Sequence, residues 1–284
     1  MTNFDTQGDE QRGSTRPLKN NYVRMKNVLF TLIAGVAIVA CTKTITPNLN
    51  MTVPQLYIQG AVSDTAGPYY VSIVNSVGFY DSSVYPGVSG AMVTITDSST
   101  SLKDVLTETS TGLYVTHSLV QGIPGHTYLL NVQLNGKTYT SSSTMPLPVA
   151  LDSATFDLSD TTQIEAVANY QDPPHIVNFY KYTMTINGVV DRRFLTFEDR
   201  LSDGRYIRDR VDADTGEVKR NDVVRLSLVG IDKNVYSFMH EAENIAYNNA
   251  GLVAPANPQS NITGGCLGYF SAQTVSDKTG MVKQ

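Results

Sequence analysis

The chain of 284 residues has no tryptophan, two cysteines and four histidines. Each scarcity excludes something. Two cysteines cannot build a disulfide scaffold, and with no C-x-x-C pair there is no zinc ribbon or thioredoxin-type redox motif. His240-Glu241 is not followed by a second histidine four residues after His240, so the zinc-protease helix is missing. The other histidines, His117, His126 and His175, lie in separate segments. "GVSGA" is not the G-x-S-x-G of a nucleophile elbow, and no glycine-rich phosphate loop is present. The lack of tryptophan weakens a sugar-binding platform, although sixteen tyrosines offer other aromatic faces. Charged residues make up only 17% of the chain, with a net charge of −5, so the basic face that nucleic acid requires is absent. No apolar run reaches the roughly 20 residues of a membrane-spanning helix.

The longest uncharged apolar run is Val28 to Ala40, preceded by Arg24 and Lys26 and ending at Cys41. A basic start, a short apolar stretch and small residues before a cut describe a secretory signal peptide. Ile38-Val39-Ala40-Cys41 resembles the lipobox of bacterial lipoproteins, which implies lipidation of Cys41; the alternative is an ordinary signal peptide with an incidental cysteine. Met25 is then the expected start, residues 1–24 an upstream non-structural extension, 25–40 the signal peptide and 41–54 a polar, proline-containing tether. Lipid on Cys41 would hold the protein at the outer membrane, on its periplasmic or its cell-surface face. Cys266 would be left as a lone thiol, expected to be buried and not reactive. Residues 1–40 hold five of the 21 Lys/Arg and three of the 26 Asp/Glu, leaving 16 and 23 in the mature part, a net −7.

From residue 55 the pattern is short alternating runs broken by Gly, Pro, Ser and Asp: "LYIQGAVSD", "YYVSIVNSV", "GAMVTITDS", "TGLYVTHSL" and "HTYLLNVQLNGKTYTSSST". Asn135-Gly136 between two such runs predicts a tight hairpin. The stretch "VSGAMVTITDS", "TGLYV" and "GHTYLLNVQLNGKTYTSSSTMP" resembles the immunoglobulin- or transthyretin-like domain of many Bacteroidota lipoproteins. Residues 55–147 are therefore expected to form an antiparallel β-sandwich, and 148–275 a second β-rich domain with one amphipathic helix, followed by a disordered tail over 276–284. Charge marks the same division. Residues 42–146 hold three basic and five acidic residues, whereas 181–233 hold eleven and ten.

Val235, Phe238, Met239, Ala242, Ile245 and Ala246 recur at spacings of three and four, predicting a helix over Val235–Asn249 capped by Asp232 and closed by Gly251. Glycines after it are expected to let a strand at Leu267–Ala272 pass close to another backbone. Asp203-Gly204 and Asp214-Thr215-Gly216 predict turns. "GIDKNVYSFMHEAENIAYNN" and "PANPQSNITGGCLGYFSA" resemble the carboxy-terminal half of a lipoprotein family known as domain of unknown function 4249. Asp232, Tyr236 and Phe238 match its first element; Asn261, Ile262, Gly264, Gly265, Gly268, Tyr269 and Phe270 match its second, with Cys266 at a variable position. The resemblance covers essentially the whole mature chain.

It implies a non-catalytic envelope lipoprotein acting as an accessory to an outer-membrane TonB-dependent transporter. Two other classes remain open: an adhesin-like surface module, and a hydrolase whose site is assembled from distant segments. No cofactor and no metal is expected; Asp212, Asp214 and Glu217 lack the ligand run of a calcium loop. The expected partner contacts are Asn257, Pro258, Gln259 and Ser260 in the loop between helix and final strand, together with Arg205 and Arg208 in the arginine-rich segment. The bland reading of those arginines is cross-strand pairing with acidic neighbours.

Overall fold

The structure, a computed structural model, describes residues 54–77, 84–119, 121–159, 164–213, 218–248 and 257–283. The expected extension, signal peptide, lipidation site Cys41 and nearly all of the tether lie outside them. The described chain is mainly β. Strands β1 (Leu56–Ser63), β2 (Tyr70–Asn75), β5 (Thr107–Ser110) and β6 (Leu113–Val115) join β11 (Phe179–Ile186), β12 (Val189–Val190), β13 (Leu195–Glu198), β15 (Val223–Ile231) and β16 (Leu267–Met281) in one nine-stranded sheet. Its order is β12-β11-β15-β16-β1-β2-β6-β5, with β13 also on β11. A four-stranded sheet, β4-β3-β7-β8, is built from β3 (Met92–Asp97), β4 (Lys103–Val105), β7 (Thr127–Leu134) and β8 (Lys137–Thr144). A three-stranded sheet, β14-β10-β9, is built from β9 (Leu151–Asp157), β10 (Glu165–Gln171) and β14 (Tyr206–Val211).

The pleat of β16 explains how these layers stack. Successive side chains of a strand point to opposite faces. Phe270 and Ala272 enter a core with Ile58, Val71, Ile73, Val93, Ile95, Tyr128 and Leu130, between the large sheet and the four-stranded one. Further along the same face, the Ser276 hydroxyl accepts from Leu151 N and Gly280 meets Phe156, where the three-stranded sheet packs. That second core holds Tyr170, Tyr180, Tyr182, Leu226 and Leu228. Tyr269 and Val275 face the other way, toward helix α1 (Lys233–Glu243), whose Val235, Phe238 and Met239 are buried against Val229 and Ile231. Two small sheets thus cover one face of the large sheet, and a helix covers part of the other.

The local signals act as chemistry dictates. Asn135 and Gly136 both adopt left-handed backbone (φ 50° and 75°) and close the β7–β8 hairpin. Asp232 caps α1, its Oδ1 accepting from Asn234 N at 2.8 Å and Val235 N at 3.0 Å. The α-helix ends at Glu243 and continues as a π-turn over Asn244–Asn248; Asn249 and Gly251 lie outside the described residues. Asp203-Gly204 turns the chain from β13, in the large sheet, to β14, in the small one, and so is a crossover and not a hairpin.

Two features alter the expected layout. The two expected domains share the large sheet, because β16 pairs in parallel with β1 (Tyr57 opposite Leu267 through Ser63 opposite Gln273) and antiparallel with β15. A Cβ at Gly268 (φ 102°) would lie 1.9 Å from the Ile58 carbonyl oxygen, so glycine is what allows this approach. The stretch expected as a disordered tail is strand through Met281, held by pairing of Ser276–Met281 with Val223–Leu228, and Val282 is fully buried.

Candidate functional site

On the helix-covered face some odd-numbered residues of the strands, Val229 and Ile231 among them, are buried under α1, and others border an open cleft. β1 offers Tyr57 and Gln59, β11 offers Lys181, and β16 offers Leu267 and Tyr269. Phe194 enters from the segment before β13, Phe238, Met239 and Ala242 come from α1, and Asn257 and Pro258 close one end. Together they line a cleft of about 450 Å³. A second hollow of about 570 Å³ shares Tyr57, Gln59 and Leu267 and continues over β2 past Ser72, Val74 and Tyr85. The groove therefore runs across β16, β1 and β2.

Its walls are aromatic and its polar groups few, the usual composition of a ligand site. Phe238 and Tyr269 meet with ring centroids 5.2 Å apart. Gln59 Nε2 donates to the Tyr269 hydroxyl oxygen at 3.1 Å, and the Tyr57 hydroxyl donates to Gln59 Oε1 at 3.4 Å. Burial, and then Tyr57, push the Tyr269 hydroxyl above the ordinary tyrosine range; burial does the same to Tyr57. Both are neutral donors at physiological pH.

Lys181 is the exceptional group. It sits opposite Val229 on β15 and Thr196 on β13, whose hydroxyl bonds His240 and Glu243 of α1. It makes no hydrogen bond and no ion pair with any described residue. Its accessible area is intermediate, yet the protein around it is dense enough that desolvation lowers its pKa below the usual lysine value. An ammonium with no ion-pair partner among the described residues, in an aromatic cleft, is suited to an anionic or carbonyl group on a ligand with an apolar or ring-shaped body.

Asn257 and Pro258 belong to this cleft, and Asn257 Nδ2 also donates to Gln55 Oε1 at 3.3 Å. Gln259 and Ser260 instead secure the loop. Gln259 N donates to Glu241 Oε2 at 2.7 Å, and the Ser260 hydroxyl donates to the Gly268 carbonyl at 2.6 Å. Arg205 and Arg208 are not brought to them. Both are exposed, and the sheet carrying β14 packs on the face of the large sheet away from α1. Arg208 lines a shallow dip with Asp157, Val167 and Arg210. Neighbouring arginines do pair with acids, Arg210 with Asp157 and Glu165 across strands and Arg225 with Asp277. Asp212 pairs with Arg193 at 3.4 Å, and residues 214–217 lie outside the described set. Cys266 is buried, and burial pushes its thiol up to about 11, which suits an inert packing residue.

Lys181 was missed by sequence reading, although a lone lysine in the run "FYKYT" was a signal. The motif residues mostly build the fold. Asn261 bridges Phe270 in both directions, Nδ2 donating to its carbonyl at 2.8 Å and Oδ1 accepting from its N–H at 3.0 Å. Tyr236 packs between Phe179 and His240, with centroids 4.9 Å and 5.4 Å away.

Fold and groove together define a class: a sandwich-like β-protein with a ligand-sized cleft beneath a single helix. Residues 42–279 match the family model described as Domain of unknown function (DUF4249), and the chain belongs to that family. No curated protein matches it.

Proposed function

We propose that this is a lipid-anchored protein of the outer membrane that binds its ligand without converting it and serves as an accessory to a TonB-dependent transporter. The observation that carries the binding part is the aromatic cleft around Lys181, whose ammonium has no ion-pair partner among the described residues. A hydrolase would need a nucleophile, a base and an orienting acid in series. Among the described residues Thr196 bonds both His240 Nδ1 and Glu243 Oε2. There the acid also accepts from Thr196 N at 2.9 Å, so it fastens β13 to α1 in place of orienting the histidine. The ligand class that suits the cleft is a small molecule with a ring or apolar body and an anionic head.

The accessory role is tested by affinity purification from native membranes in mild detergent. A transporter is expected to co-purify, and the paired substitution Asn257→Ser with Pro258→Gly at the cleft rim is expected to weaken its recovery. Cys41→Ala is expected to release the protein from membranes. Failure to recover a transporter with the unaltered protein overturns the accessory role. A mature terminus downstream of Cys41 without lipid overturns the anchor.

A further inference from the structure

On the other side of the large sheet, three carboxylates converge from three segments. Asp172 follows β10, Asp199 opens the 3₁₀ turn after β13, and Asp203 lies in the crossover to β14. Each offers an oxygen, and these atoms all lie within 4.8 Å of one another. Asp172 and Asp199 are fully buried, and Asp203 is exposed at the mouth. No lysine, arginine or histidine side chain pairs with any of them among the described residues. Their orientations are fixed by donors around the cluster. Asp172 accepts from the Tyr180 hydroxyl at 2.7 Å and from Gly204 N at 3.0 Å. Asp199 Oδ2 accepts from Asn178 N at 2.9 Å, and Asp203 Oδ1 from His175 N at 2.7 Å. One oxygen is left over: Asp199 Oδ1 is buried and has no hydrogen-bond partner.

Such an arrangement is costly as it stands. Buried carboxylates that close repel one another, and an unpartnered buried oxygen forfeits its hydration. We propose that Asp172, Asp199 and Asp203 bind a divalent cation of the calcium class, with Asp199 Oδ1 as a dedicated ligand and water completing the shell on the exposed side. The donor set is oxygen alone, with no imidazole or thiolate, which selects a hard cation over zinc or copper. The hydrogen bonds from Tyr180, Gly204, Asn178 and His175 are the outer contacts that hold ligating carboxylates in place. An ion there would join β10, the end of β13 and the start of β14, and so fasten the small sheet to the large one. Desolvation, and then the neighbouring carboxylates Asp172 and Asp203, hold Asp199 above its usual carboxyl range, which agrees with a site short of positive charge. The competing solution is a proton on Asp199 shared with a neighbouring carboxylate.

The test is a titration of the purified, chelator-stripped protein at neutral pH with calcium chloride or magnesium chloride alone, followed by calorimetry and thermal unfolding. Calcium is expected to bind with a dissociation constant on the order of 0.1–1 mM, to raise the unfolding temperature, and to bind more tightly than magnesium. Asp199→Asn is expected to abolish the calcium-dependent shift. Asp203→Asn, an exposed change that folding tolerates, is expected to weaken calcium at least about tenfold. No binding heat and no shift up to about 10 mM calcium would overturn the site and leave the shared proton as its explanation. So would an unchanged shift in Asp203→Asn.

Discussion

Lys181 shows how much one side chain reveals. An ammonium whose pKa is lowered by desolvation, with no ion-pair partner among the described residues, destabilises the folded state wherever it stays charged. The sign follows from proton counting. Between the lowered native pKa and the ordinary lysine value the unfolded chain binds more protons, so stability rises with pH through that window. Lys181→Met, which fills similar volume without charge, is expected to raise stability at neutral pH by about 1 kcal/mol and to remove that alkaline gain. Urea unfolding at neutral and alkaline pH measures both. The same variant is expected to lose affinity for an anionic aromatic dye that the unaltered protein binds in the cleft. A residue kept at a cost to stability is a mark of a functional site, and equal stability in the two proteins would remove that reading.

At the scale of elements, helix α1 is held by its cap as much as by its apolar face. Asp232 Oδ1 takes the first free N–H groups of the helix, and Oδ2 accepts from the Ser143 hydroxyl on β8. That hydroxyl in turn accepts from Ala272 N on β16 at 2.7 Å, so the cap ties the helix to the four-stranded sheet and to the large one. Asp232→Ala is expected to cost about 2 kcal/mol, the upper end for an N-cap because a cross-sheet bond goes with it, with the denaturant slope unchanged. Chemical unfolding checks this, and a loss below about 0.5 kcal/mol would show the cap to be incidental. Elements of this kind were legible in the sequence. Alternation identified strands such as β1, β7 and β8, Asn135-Gly136 gave the hairpin, and the spacing of three and four gave α1 with its capping residue. Each signal is local, set by neighbours a few residues away. The cleft was legible only at its rim, in Asn257 and Pro258. Lys181, Tyr57 and Tyr269 come from strands whose adjacency is created by long-range pairing, and nothing near them in sequence records it.

The molecule as a whole is organised by such a pairing. β1 and β16 stand more than two hundred residues apart and run parallel, bonded from Tyr57–Leu267 to Ser63–Gln273. Parallel neighbours need a crossover, and here everything between the two strands serves as one. The sequence showed the composition change near residue 147 and so suggested two separate domains, because charge density and proline mark segments and carry no record of which strands meet. β16 is the common member. Phe270 and Ala272 complete the first core, Val282 the second, and Val275 packs in the cluster beneath α1. Deleting residues 276–284 would leave β15 only its pairs at Val229–Val275 and Gly230–Thr274 and would open the second core at Val282. The expected result is that both cores are destabilised together and the whole chain loses its fold, because the damaged strand belongs to both. Calorimetry of the intact protein should give a single transition whose measured and van't Hoff enthalpies agree. Two resolved transitions, or a truncated protein whose residues 55–147 still melt at the original temperature, would mean that the first sandwich folds without its partner strand.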